Sequence, residues 1–157
     1  MTERDTTVIA RTVTRTVVPI IVLVSVALLL QGHNLPGGGF IAGVLTATAF
    51  ALLYVIYGID SVRDALVRHP DSFPITILQG PTSAYSRAFA VGLALAVAGG
   101  LASFLLGFPF LTQGVVFIEG VPIYGALEVA SALWFDMGVY FVVVGALLTI
   151  LAVVGAE

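Results

Sequence analysis

The sequence predicts an all-α membrane protein with four transmembrane helices, both termini cytoplasmic, and a small hairpin in an outer loop over residues 107–134. Three observations carry that expectation. The 157 residues are 59% hydrophobic and 10% charged, with a mean hydropathy of +1.12, far from a soluble globular composition. Apolar runs of near-bilayer length alternate with polar or glycine-dense stretches. All six basic residues are arginines, and they fall only before the first run and between the second and third. The chain reads as a single domain over 1–157, with spans at about 12–30, 40–57, 88–106 and 135–154.

A bilayer core of about 30 Å takes about 20 apolar residues as a helix. The first run, Val17 to Leu30, is short, but it extends back to Thr12 if Arg15 snorkels toward the headgroups. Arg4, Arg11 and Arg15 before an apolar run also suit a secretory signal; LLLQGHN, however, offers no small-x-small cleavage site. Phe40 to Tyr57 forms the second span. After it, DSVRDALVRH places Ile59, Val62 and Leu66 at helical spacing and lets Asp60 meet Arg63 and Asp64 meet Arg68, a short interfacial helix ended by Pro70. His69 there reads as a surface residue, since no second ligand stands near it. Ala88 to Leu106 and Phe135 to Val154 form the third and fourth spans. With arginines flanking only one side, the positive-inside rule puts both termini in the cytoplasm.

The outer connection, GFPFLTQGVVFIEGVPIYGALEVASALW, is too apolar for an ordinary solvent loop and is expected to be covered. VVFI, a turn at EGVP and then IYG suggest the hairpin, with Pro122 restricting the second strand to an edge. From Ala126 onward the pattern turns helical.

What is missing narrows the function. No cysteine is present, so disulfides, thiolate metal sites and cysteine nucleophiles are excluded. The net charge of −3 says little, because in a bilayer protein charges matter by position; nucleic acid is not an expected partner, and the lipid bilayer is. No span carries a lysine, histidine or carboxylate near its midpoint, which argues against proton-pump machinery in this chain. There is no evident inverted repeat, no paired nucleophile and base, and no polar stripe along a span. A complete secondary transporter, an enzyme and a homo-oligomeric channel are therefore poor readings, and no cofactor or resident metal is implied.

The residues singled out are few. GHNLPGGGF, residues 32–40, sits between two spans, where irregular backbone survives only against protein or a wet cavity. One reading is a tight helix hairpin turned by Pro36, with Gly37, Gly38 and Gly39 allowing close packing. The other has His33 and Asn34 line a wet path or, with Phe40, clamp a partner; the two are compatible. A phosphate cradle is dismissed, since a membrane span precedes the glycines and no lysine exists. Gly39, Gly43 and Ala47 form one four-residue series of small residues, and Gly92, Ala96 and Gly100 another; Gly138 in the last span joins them as a packing glycine. Such faces pack either within the chain or on another subunit. Glu119, Glu128 and Asp136 are carboxylates in apolar surroundings, functional candidates by default. Asp136 stands near a helix end, where capping is also open to it.

GHNLPGGGFIAGVLTATAF after a first span and SALWFDMGVYFVVVGALLTIL as the last resemble the B-type component of the Mrp (also Mnh or Sha) multisubunit sodium/proton antiporters. The resemblance spans nearly the whole chain, including FPFLT at the start of the outer connection, but excludes the stretch from Ile59 to Tyr85 and GVVFIEGVPIYG. It implies a small subunit of a hetero-oligomeric antiporter in the cell membrane, exchanging cytoplasmic sodium for external protons beside subunits of A, C, D, E, F and G type. In that family the large antiporter-like subunits carry the lysine and glutamate proton machinery. Similar subunits occur in membrane-bound hydrogenases and related respiratory complexes. The resemblance, with the turn's position, casts His33, Asn34, Pro36, Gly37, Gly38, Gly39 and Phe40 as ion path or subunit contact, with sodium at most a transient occupant; Glu128 and Asp136, as rare carboxylates in apolar surroundings, are candidates for admitting cations or protons from the outer side. A purely structural scaffold subunit stays open as an alternative.

Overall fold

The computed structural model describes residues 8–32, 35–58, 83–105, 107–109, 112, 114–121 and 125–155. The interfacial helix expected around Asp60 to His69, and both residues of the His33–Asn34 pair, lie outside them.

Four helices and one hairpin make up this part of the chain: α1 (Val8–Gln31), α2 (Gly39–Tyr57), α3 (Ser83–Leu105), β1 (Val115–Val121), β2 (Gly125–Ala130) and α4 (Ala132–Val154). All four helices are long and apolar enough to cross a membrane. A helix of 23 residues such as α4 rises about 35 Å, a little more than the hydrocarbon core. α1 and α3 begin ahead of their apolar runs and take in Arg11, Arg15 and Arg87 within a few turns of their starts, where long side chains reach the headgroups. Pro19 lies inside α1, in a helix that is continuous across it.

The helices pack as an open row in the order α1, α2, α4, α3. α4 packs most extensively on α3 and next on α2, α2 packs on α1, and α1 barely touches α4. Small residues set these distances. A Cβ added at Gly92 would lie 2.7 Å from the Gly138 carbonyl oxygen, one at Gly138 would lie 2.5 Å from the Ala96 nitrogen, and one at Gly145 would lie 2.6 Å from the Phe89 nitrogen. Backbone meets backbone along the whole α3–α4 seam, as small residues allow in hydrocarbon. Gly100 is also buried, and its carbonyl accepts a hydrogen bond from Ser103 Oγ at 3.1 Å.

The core is correspondingly thin: Tyr85, Leu148 and Ala152, with Phe50, Tyr54, Val144 and Leu151 against them. Tyr85, on α3, hydrogen-bonds the Tyr54 hydroxyl on α2, strapping together the two helices that flank α4. Many large apolar side chains face outward, among them Ile9, Leu23, Val55 and Leu105 at 73–83% exposure. Lipid or protein covers such a surface in a membrane.

The hairpin pairs antiparallel, Val115 with Ala130 through Val121 with Gly125, with an irregularity between Glu119 and Val121. It is closed at its base by Ser131 N–H to the Gly114 carbonyl and Gly114 N–H to Ser131 Oγ, both 2.9 Å. Two sequence expectations need correction here. β1 runs through Glu119, Gly120 and Val121, so the turn does not begin at Glu119; residues 122–124, Pro122 among them, lie outside the described residues. Ala126 to Ala130 is strand, and α4 starts only at Ala132. Alanine, leucine and glutamate favour a helix intrinsically, but the ladder offered by the β-branched VVFI strand overrides that weak preference.

Candidate functional site

The site grows from the turn between α1 and α2. Leu35 N–H continues the helical pattern to the Gln31 carbonyl at 3.0 Å, and Gly38 N–H then reaches back to the Leu28 carbonyl, also at 3.0 Å. The turn thus folds onto the last turn of the helix it has just left. That fold leaves no room for side chains: a Cβ at Gly32 would lie 2.1 Å from the Gly38 nitrogen, and one at Gly37 would lie 2.6 Å from the Leu28 carbonyl oxygen. Gly38 itself has φ +97°, a region that L side chains rarely enter. Pro36 and Phe40 point away from this crossing and are exposed.

The same glycines meet α4. A Cβ on Gly39 would sit 1.9 Å from the Asp136 carbonyl oxygen, and one on Gly43 would sit 2.9 Å from Cβ of Val143. The Asp136 carboxylate abuts Gly38, where an added Cβ would stand 3.4 Å from Oδ2 and 3.5 Å from Oδ1. The GGG run and the FDMGVY stretch, about a hundred residues apart in sequence, are therefore one place in the molecule. Asp136 does not cap α4, whose N-cap position is Ser131; it lies one turn inside, half-buried, against the uncapped start of α2.

One turn further along α4, Tyr140 OH donates to Thr46 Oγ1 at 3.1 Å, Thr46 Oγ1 and Ser25 Oγ are 2.6 Å apart, and Ser25 Oγ donates to the Ala42 carbonyl at 2.6 Å. Ser25 and Thr46 are buried at 0% and 5% exposure. If Thr46 donates to Ser25, every hydroxyl proton has an acceptor and the chain ends on a carbonyl. Such a chain pins α1, α2 and α4 together, and has no terminal base to receive a proton. The chain was not legible in the sequence; Ser25 and Thr46 are the kind of mid-span hydroxyls that signal such a link, but their partners depend on helix rotation.

Of the residues singled out from sequence, the structure gathers Gly37, Gly38, Gly39, Gly43 and Asp136 at one crossing and places Gly92 and Gly138 at the α3–α4 seam. Glu128 is on β2, in register with Phe117, and not on a spanning helix. A cleft of about 340 Å³ opens between α3 and the hairpin base, lined by Ala102, Ser103, Phe108, Thr112 and Ser131 among others. Thr112 satisfies its hydroxyl within the cleft wall, on the Pro109 carbonyl at 2.7 Å.

A family model described as a domain related to the MnhB subunit of Na+/H+ antiporters matches residues 9–149. The chain belongs to the MnhB family. The Na+/H+ antiporter B subunit of Bacillus subtilis strain 168 is 39% identical over 158 residues, covering 100% of this chain and 99% of the relative. The Na+/H+ antiporter B subunit of Alkalihalophilus pseudofirmus is 37% identical, over 96% of this chain and 93% of its own length. A longer relative, the probable K+/H+ antiporter A/B subunit of Rhizobium meliloti, is 35% identical over 85% of this chain, which spans 12% of it. Among solved structures, a chain of the Mrp complex from Dietzia sp. DQ12-45-1b superposes with a TM-score of 0.67 at 28% identity, over 94% of this chain and 14% of that chain. Four helices long and apolar enough to cross a membrane, together with this membership, make the MnhB-family chain a multi-pass protein of the cell membrane.

Proposed function

We propose that this chain is the B-type component of a hetero-oligomeric antiporter exchanging a monovalent cation, sodium foremost, for protons, and that it contributes assembly and part of the cation path. The observation that carries the reading is the full-length similarity to the B-type component of an Na+/H+ antiporter. The interior supports the division of labour: its buried hydroxyls satisfy one another, and the spans carry no lysine, histidine or carboxylate near their midpoints. Proton transfer then belongs to partner subunits, and no catalytic step is assigned to this chain. Within the reading, the PGGG crossing clamps α1, α2 and α4, His33, Asn34, Pro36 and Phe40 face the path or a neighbouring subunit, and Glu128 stands on the outer hairpin. Both termini are cytoplasmic in this reading, from the arginine distribution.

The test is affinity purification of the complex by a C-terminal tag, with mass spectrometry and vesicle exchange assays. Antiporter-like subunits without redox subunits, together with sodium-dependent proton movement, are the expected result. Iron–sulfur or hydrogenase subunits would move the chain to a respiratory complex with a related ion module. Gly38→Val is expected to abolish assembly; a fully assembled, fully active variant would refute the clamp.

A further inference from the structure

The hairpin end of the molecule is acidic and has no basic side chain among the described residues. Glu119, Glu128 and Asp136 fall there, whereas the arginines are at positions 4, 11, 15, 63, 68 and 87, and the chain has no lysine. Arg11, Arg15 and Arg87 lie near the N-terminal ends of α1 and α3, at the opposite end of the row. Asp136 is half-buried, and its carboxylate makes no hydrogen bond or ion pair among the described residues. The start of α2 beside it offers a favourable dipole but no full counter-charge. A carboxylate at the edge of hydrocarbon without a counter-charge is costly, and such groups normally pair. At the same end of the row three large apolar side chains stand open: Leu35, Phe40 and Trp134 are 57%, 64% and 66% exposed.

We propose that Asp136 is the receptor for an arginine or lysine side chain on a transmembrane helix of a neighbouring subunit, which also covers Leu35, Phe40 and Trp134. The inference rests on the reading of the chain as one member of a complex. A bound sodium ion fits the notch less well. Hard cations take several oxygen ligands, whereas here one carboxylate faces the N–H end of a helix, which supplies donors. Nor do three or more His, Cys, Asp or Glu side chains gather among the described residues. A guanidinium or ammonium needs only the one carboxylate, and brings its own apolar stem to lie on the aromatic rim.

The experiment uses the whole complex, purified by a tag on this chain and washed at high salt. Asp136→Asn is expected to lower recovery of one neighbouring subunit several-fold, Asp136→Glu to retain it, and Asp136→Lys to lose it entirely. Changing the matching basic residue of that neighbour to glutamate is expected to restore the Asp136→Lys complex, a rescue that a misfolded chain cannot show. Full recovery of every subunit with Asp136→Asn overturns the proposal. So does a fully assembled Asp136→Asn complex that needs more sodium for half-maximal exchange, which gives the carboxylate to the cation. Equal and non-additive losses in Asp136→Asn and His33→Gln would assign the counter-charge to this chain instead. If the wild-type complex shows no sodium-dependent exchange, the functional reading fails while the recovery of the neighbouring subunit still decides the ion pair.

Discussion

At the scale of single residues, the contrast between glycines is the sharpest test of the packing. Gly39 and Gly107 look alike in sequence, yet a Cβ at Gly39 would strike the Asp136 carbonyl at 1.9 Å, whereas Gly107, at φ +80°, has nothing within 4 Å of its position. Gly39→Ala must push α2 off α4, at roughly 1–3 kcal/mol or more. Gly107→Ala meets only backbone strain, about 1–2 kcal/mol. Thermal melting of the detergent-solubilised complex should therefore fall further for Gly39→Ala, and only that variant should lose partner subunits. Thr46 offers a second test, because it joins both Tyr140 and Ser25. Thr46→Val keeps the shape and removes two links averaging about 0.6 kcal/mol each in membrane interiors. A loss near 1 kcal/mol is expected in unfolding titrations of the purified chain, and a further loss of about 0.6 kcal/mol on adding Ser25→Ala, which removes the remaining bond to the Ala42 carbonyl.

At the scale of elements, α4 is the hub: its Gly138 and Gly145 edge meets α3, and its Asp136, Tyr140 and Val143 edge meets α2. The Tyr54–Tyr85 strap links the helices on either side of it near the other end. Tyr85→Phe keeps the ring in the Leu148–Ala152 cluster and removes the hydroxyl. Its expected cost is about 0.6 kcal/mol, with faster amide exchange at the paired ends of α2 and α3. A double-mutant cycle with Tyr54→Phe should show the two changes to be non-additive. Among the described residues the hairpin is fastened at its base by the paired hydrogen bonds of Gly114 and Ser131, so strand disruption at Val129→Pro should leave the four helices folded.

At the scale of the whole molecule, an open row of helices leaves two broad faces for lipid and neighbouring subunits, which accords with a chain built to work inside an assembly. The orientation can be read directly because the sequence has no cysteine. Thr112→Cys, exposed beside the hairpin, should react with a membrane-impermeant maleimide from outside intact cells. Ser83→Cys, exposed at the other end of α3, should react only after permeabilisation. The reverse pattern would invert the proposed topology.

Apolar run length alone determined the number of membrane-length helices among the described residues and their approximate bounds, because hydrocarbon forces every backbone group into an internal hydrogen bond. The glycine series likewise marked the packing faces, since only small residues let backbones approach. Which face meets which helix was not legible: Gly39 and Gly43 serve α4, and Gly92 serves the opposite edge of the same helix, a choice set by rotation and tilt of the packed row. Strand against helix at Ala126 to Ala130 was decided by pairing with β1, not by local preference. Likewise only the tertiary fold brought Asp136 to Gly38, because contact between residues so far apart in sequence depends on the loop path and on the glycine crossing that lets α2 start directly against α4.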